Sequence, residues 1–201
     1  MPVSSRRSPW NHNIHYHRLL EGAVPPGARR VVDVGCGEGR LAAALADRVP
    51  LVVGVDLDAP ALRSAADRAG NARLLLADVR SAPLAPGGVD AVVSVATLHH
   101  LDEAAGLRRM AELLRPGGVL AVVGLARSEL PRDLGWDLAG MVFGRVLKAL
   151  RGETPVRAPT VWPPPRTYRE VRRLAEEVLP GVRYRRRLLW RYSLIWTKPG
   201  G

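Results

Sequence analysis

Val31-Val32-Asp33-Val34-Gly35-Cys36-Gly37-Glu38-Gly39-Arg40 is the stretch that decides the fold: an apolar strand interrupted by one acid runs directly into three alternating glycines, and helix-forming residues follow from Arg40. Glycines let the backbone approach a ligand closely, and in open α/β sheets ligands bind at the carboxyl ends of the strands. A dinucleotide-binding turn reads G-x-G-x-x-G, with the third glycine helping pyrophosphate sit over the helix start. Here the third glycine comes one residue early, at Gly39, and Asp33 stands before the first. A carboxylate beside the loop suits an amino-acid ammonium better than a pyrophosphate.

Outward from this turn, short Val/Leu/Ala-rich runs alternate with helix-patterned stretches from Arg29 to Leu125, which predicts βαβ units on a parallel sheet. The strands expected are Arg30–Val34, Leu51–Asp56, Ala72–Ala77, Val89–Val95 and Val119–Gly124. Their near-continuous apolar character fits strands covered by helices on both faces. Leu107, Met110, Ala111 and Leu114 recur at helical spacing, and Pro116-Gly117-Gly118 is expected to stop that helix before the fifth strand. Thr167 with Glu170 reads as a capping box opening a helix to Leu179, ended by Pro180-Gly181. Val182–Leu188 and Arg191–Thr197 read as a terminal antiparallel hairpin. The predicted organisation is one domain: an N-terminal helical segment over the ligand site (1–28, with an amphipathic helix from Trp10 to Leu20), a core (29–125), a lid-like insertion with short helices (126–165), and a helix with the hairpin (166–201).

Two further acids end strands. Asp56 closes Val52-Val53-Gly54-Val55-Asp56, where an acid can accept hydrogen bonds from both ribose hydroxyls. Asp78-Val79 ends the third strand, where a carboxylate can receive an adenine amino group and an apolar neighbour can pack on the ring. Any one of these aspartates alone would read as a helix cap or turn former; together, ammonium, ribose and adenine contacts in this order describe a nucleoside attached to an amino acid.

At these residues the chain resembles class I S-adenosylmethionine-dependent methyltransferases of the small-molecule type, similar to ubiquinone and menaquinone methyltransferases. The likeness rests on Val32–Gly39, Gly54-Val55-Asp56-Leu57-Asp58, Leu76-Ala77-Asp78-Val79, Val95-Ala96-Thr97-Leu98-His99-His100-Leu101 and Leu114-Arg115-Pro116-Gly117-Gly118-Val119-Leu120, in family order from Val31 to Gly124. It implies a Rossmann-like fold with a mostly parallel seven-stranded sheet, helices on both faces and a C-terminal antiparallel hairpin. It implies S-adenosylmethionine as cofactor and S-adenosylhomocysteine as product. Gly35, Gly37 and the Ala96 backbone would hold the methionyl part, Asp56 and Leu57 the ribose and adenine side, Asp78 and Val79 the adenine, with Asp33 and Cys36 in the same loop. In similar enzymes a helix before the first strand closes over the cofactor, which brings Tyr16 and His17 to it.

His12, His99 and His100 are the candidate catalytic residues, since a neutral imidazole can take a proton from an O–H, N–H or acidic C–H acceptor. The His99-His100 pair also suits a structural shelf for the cofactor, and Trp10–His17 also suits a surface helix with aromatic anchors. No metal is expected: His12, His15 and His17 lack i,i+4 spacing and no clustered acid or cysteine completes a site. Cys36 is the only cysteine, so disulfide and two-cysteine redox chemistry are excluded.

The acceptor is less legible. The exocyclic-amine motif Asn/Asp-Pro-Pro-aromatic is replaced by Ala96-Thr97-Leu98-His99, and a pyrimidine C5 nucleophile is lacking because Cys36 lies inside the cofactor loop. Trp136, Met141, Phe143 and Trp162 give 126–165 the composition of an apolar lid, which favours a small aromatic or heterocyclic acceptor. The formal charge of +11 opens a rival reading, an RNA methyltransferase using the Arg185-Arg186-Arg187 face beside Trp190 and Tyr192. Eleven Arg and one Lys against four Glu lie from Arg151 onward, yet only Lys148 and Lys198 are lysines, a bias a GC-rich genome would itself produce. A non-catalytic S-adenosylmethionine-binding protein is the third reading. No apolar run reaches the roughly 18–20 residues of a membrane crossing. Polar residues follow the basic start Met1–Arg7, so a cytoplasmic location is expected.

Overall fold

In β1 (Arg30–Val34) every residue after the first is buried, because alternate side chains enter two different cores. Val31 packs with Leu20, Leu41 and Leu45 on one face, while Val32 and Val34 join Leu107, Met110 and Leu113 on the other. Each such fully buried side chain contributes about 1.5–3 kcal/mol, so both faces of the sheet must carry helices. The computed structural model describes residues 10–154 and 162–200; the basic start Met1–Arg7 and residues 155–161 of the expected insertion lie outside them.

The sheet contains β1, β2 (Leu51–Asp56), β3 (Arg73–Leu76), β4 (Val89–Val95), β5 (Leu114–Leu125), β6 (Arg183–Arg187) and β7 (Arg191–Thr197), in the order β3-β2-β1-β4-β5-β7-β6. The first five are mutually parallel, and β7 pairs antiparallel with both β5 and β6. The helices are α1 (His17–Ala23), α2 (Arg40–Ala46), α3 (Ala59–Ala66), α4 (Glu103–Leu113), α5 (Leu134–Arg151) and α6 (Tyr168–Val178). The Rossmann-like architecture, seven-stranded sheet and terminal hairpin expected from the sequence are all present. No helix among the described residues is long and apolar enough to cross a membrane.

Several local expectations are corrected. α4 ends at Leu113, and Leu114 already belongs to β5; Arg115, preceding a proline, is pushed out of helical conformation. Pro116-Gly117-Gly118 therefore lies inside the strand as an irregularity, where the register with β4 jumps from Val89↔Leu114 to Ala91↔Val119. The N-terminal segment is a single 3₁₀ turn at Ile14–Tyr16 followed by α1, with no helix from Trp10. The Asn11 side chain accepts the amides of Asn13 and Ile14 and so fixes a turn before the helix. The insertion's described part is dominated by the 18-residue α5. Gly140 and Gly144 do not break it. They sit four residues apart where the helix approaches Leu189, so close that a Cβ at Gly140 would lie 3.4 Å from the Leu189 amide.

Leu189 and Trp190, in the β6–β7 turn, both take left-handed backbone conformations, with φ of +57° and +55°. Such conformations cost on the order of 1 kcal/mol or more each outside glycine. The turn is held by burial of Leu189 and by a 2.7 Å bond from the Tyr16 hydroxyl to the Leu188 carbonyl.

Candidate functional site

The strand order reverses between β1 and β4, which is where doubly wound sheets open a ligand crevice. A cleft of about 900 Å³ lies at this point, on the carboxyl edge of the sheet. Its floor is the loop after β1. Gly35 and Cys36 both donate their amides to the Val55 carbonyl, at 2.8 and 3.2 Å, which ties the loop to β2. Gly35 has a φ of +72°, and a Cβ there would stand 1.9 Å from the Thr97 hydroxyl oxygen. Only glycine lets these two loops meet. Across the cleft, Ala96 has a φ of +53° and donates its amide to the Val123 carbonyl at 2.8 Å.

Asp56, at the end of β2, accepts the Gly37 amide on one carboxylate oxygen at 2.7 Å and the Asp58 amide on the other at 2.9 Å. A carboxylate offers about four acceptor positions, so two remain for hydroxyl donors. Leu57 beside it is 62% exposed at the cleft, an apolar shelf without an internal partner. Asp78 also faces the cleft, but Arg80 grips it with its backbone amide at 2.9 Å and its guanidinium at 2.5–3.1 Å; these bonds hold the carboxyl below its usual range. Val79 is buried beneath it.

Asp33 is not in the cleft lining. It lies beneath the floor, 1% exposed, with no hydrogen-bond partner on either carboxylate oxygen. Burial, with the Asp56 charge adding to it, pushes its pKa up to about 7. A cation settling over the loop would supply the missing counter-charge. Cys36 is buried and its thiol is pushed far above its ordinary value, first by burial and then by Asp33 and Asp56, so it is no nucleophile.

The wall opposite the loop comes from the N-terminal segment. Asn11, Asn13, Ile14 and His17 line the cleft, and burial with the Arg40 charge lowers the His17 pKa to about 4. Tyr16 turns away to Leu188. His12 sits between the rings of Trp10 and Trp190, at centroid distances of 5.7 and 6.0 Å, and outside the lining. His100 faces the cleft, whereas His99 is buried behind it with an unpartnered Nδ1 and a pKa lowered to about 4 by burial, His100 and Arg191.

Of the residues singled out in the sequence, His17, Gly35, Cys36, Gly37, Asp56, Leu57, Asp78, Val79, Ala96 and His100 thus meet at one cleft; His12, Tyr16, Asp33 and His99 stand behind its walls. Asn11, Asn13, Ile14, Thr97 and Leu101 also line it and were not singled out. Only Asn11 carried a usable signal, as a turn former three residues before a helical turn.

A protein-family model described as a methyltransferase domain matches residues 31–118. An uncharacterized methyltransferase of Mycobacterium tuberculosis strain H37Rv is 45% identical over 194 residues, covering 95% of this chain and 98% of that protein. A trans-aconitate 2-methyltransferase of Azoarcus sp. strain BH72 is 44% identical over 121 residues, 58% of this chain and 45% of its own. Among solved structures, an S-adenosylmethionine-dependent methyltransferase of Aquifex aeolicus superposes with a TM-score of 0.62 at 17% identity, over 90% of this chain and 87% of that one, a likeness of fold.

Proposed function

Since the chain belongs to the class I S-adenosylmethionine-dependent methyltransferases, with S-adenosylmethionine as its methyl donor, we propose that it methylates a small organic acceptor held between the cofactor loops and the N-terminal segment. The observation that carries this reading is the cleft itself. About 900 Å³ lies within the range of small-molecule sites, and its lining holds one arginine, Arg40, already paired with Glu38 at 3.5 Å. A mouth of this kind offers an RNA backbone little to neutralise.

The fit to the donor rests on this chain's own groups. Asp56 keeps two acceptor positions for ribose hydroxyls, Leu57 and Val79 give apolar surface to a base, and the unpartnered Asp33 supplies negative potential under an ammonium. The bound donor contributes a sulfonium methyl, which leaves by in-line displacement; the protein's part is to align the acceptor atom, the methyl carbon and the sulfur. His100 is the imidazole that would accept a proton from an O–H or N–H acceptor, because burial, only partly opposed by Asp56, lowers its pKa and keeps it neutral near pH 7. α5 leaves Trp136, Leu138 and Met141 exposed, the apolar surface a lid would use, while contributing no residue to the cleft lining itself.

The arginine run supports the same choice. Arg186 turns inward, bonded to Asp133 and stacked 3.9 Å from the Tyr168 ring centroid, and Arg187 donates to the Ser193 hydroxyl at 2.9 Å. Two of the three guanidiniums are therefore engaged in the fold. Calorimetric titration with S-adenosylmethionine and S-adenosylhomocysteine, beside an NAD control, should give binding of the sulfur nucleosides alone. Methyl transfer should then appear with small organic acceptors and be absent with bulk RNA; the reverse pattern would overturn the small-acceptor reading.

A further inference from the structure

Arg191 opens β7 opposite Leu125, the last residue of β5, and so stands on the same carboxyl edge of the sheet as the cofactor loops. It is 6% exposed, and among the described residues its guanidinium forms no ion pair. Three bonds use part of its donor set: Nη1 to the carbonyls of Leu189 and Trp190 at 3.0 and 3.5 Å, and Nη2 to Asn13 Oδ1 at 2.7 Å. A guanidinium has five N–H donors, so two are unused, that of Nε among them. A buried charge without a counter-charge is costly, and natural proteins retain one where something pairs with it.

The neighbourhood repeats the pattern. His99 Nδ1 and the Tyr168 hydroxyl are also buried and unpartnered, and both are close enough to Arg191 to exchange electrostatic influence with it. Asn13, the residue bonded to Nη2, is a wall residue of the cleft. The guanidinium therefore lies one side chain behind the space left for the acceptor.

Resting on the small-acceptor reading above, we infer that the acceptor carries a carboxylate and that Arg191 is its specificity-determining anchor. The carboxylate takes the place of Asn13 Oδ1 on Nη2 as that wall side chain swings aside, and adds the free Nε–H behind it, a charge-assisted fork that fixes orientation as well as affinity. Desolvation brings the Arg191 pKa down to about 10, which leaves it fully charged at neutral pH and in need of an anion. A purely structural arginine, clamping the Leu189 and Trp190 carbonyls, is the competing explanation.

The experiment uses the full chain saturated with S-adenosylhomocysteine and titrated with acetate, succinate and benzoate, each beside its amide, with the thermal midpoint and heat of binding as readouts. At least one acid should stabilise the wild type where its amide does not. Arg191→Met should weaken that acid about 10- to 100-fold, Arg191→Lys should recover part of it, and both should bind S-adenosylhomocysteine as the wild type does. No acid exceeding its amide, or equal acid binding in Arg191→Met, overturns the inference; a lowered midpoint with unchanged acid binding identifies the clamp. Failure to bind S-adenosylhomocysteine at all would strike the methyltransferase reading instead.

Discussion

The two sides of the cleft are built by different means. On the cofactor side, strand ends and adjacent loops do the work: Asp56 holds Gly37 nineteen positions away, and Gly35 meets Thr97 because β1 and β4 are neighbours. On the side proposed for the acceptor the contacts join the extremes of the chain. Arg191 reaches Asn13 across 178 positions, Tyr16 reaches Leu188 across 172, and Trp10 reaches Thr154 across 144. The cofactor side is a property of the sheet and its turns, whereas the acceptor side is a property of how three separate segments dock. A family can therefore keep the first and vary the second.

The largest effect that would test this contrast is Gly35→Ala. A methyl group 1.9 Å from Thr97, on a backbone at φ +72°, should cost about 4 kcal/mol or more and abolish binding of S-adenosylhomocysteine in a calorimetric titration; retained binding would break the claim that this side is set by loop approach. Asp33→Asn comes next. The Asp33 carboxyl titrates near 3.8 in the unfolded chain and at about 7 in the folded one, so between those values the folded state keeps a proton that the unfolded state has released. The stability it lends the ligand-free protein is complete below about pH 3.8 and is lost as the pH rises through about 7. The asparagine variant should be more stable than wild type at pH 8 by a few kcal/mol, converge with it near pH 4, and bind the cofactor more weakly. Urea melts across that range decide it.

Asp56→Ala removes the brace of the glycine loop together with the free acceptor positions; cofactor affinity should fall about 100-fold, close to 3 kcal/mol, with the chain still folded. Affinity within about threefold of wild type would sink the ribose assignment. The smallest change is Tyr16→Phe. Losing its bond to the Leu188 carbonyl should cost about 1 kcal/mol in a thermal melt and leave cofactor affinity untouched. A parallel drop in cofactor affinity would show that the two sides are coupled, contrary to the contrast drawn above.

The same contrast explains what the sequence discloses. β1, β2, β4 and β7 fall where apolar runs put them, and the Thr167–Glu170 capping box forms as its spacing indicates, because each depends on neighbours within a few residues. Asp56 and Gly35 were readable for another reason, their place at the carboxyl ends of strands that the apolar runs already mark. Asn13 was not, because nothing near it in sequence hints at Arg191; nor was the extension of β5 through Pro116-Gly117-Gly118, which relies on Gly117 and Gly118 bonding to Lys198 in the strand extension beyond β7. Short helices were expected in 126–165, and the 18-residue α5 was not, because the packing of its Gly140 and Gly144 against Leu189 leaves no local mark in the sequence. His99 and His100 are adjacent letters with opposite fates, decided by which one the 3₁₀ turn after β4 buries.

The strained Leu189-Trp190 turn also fixes an order of events. Its unfavourable backbone is tolerated only once Tyr16, Arg191 and the glycine face of α5 are in place around it. In chain order the loops after β1, β2 and β4 all precede β7. The wall proposed for the acceptor has to wait for Arg191, whose bond to Asn13 spans 178 positions, and contacts of such separation form slowly, so on that proposal recognition of the acceptor is completed late in folding.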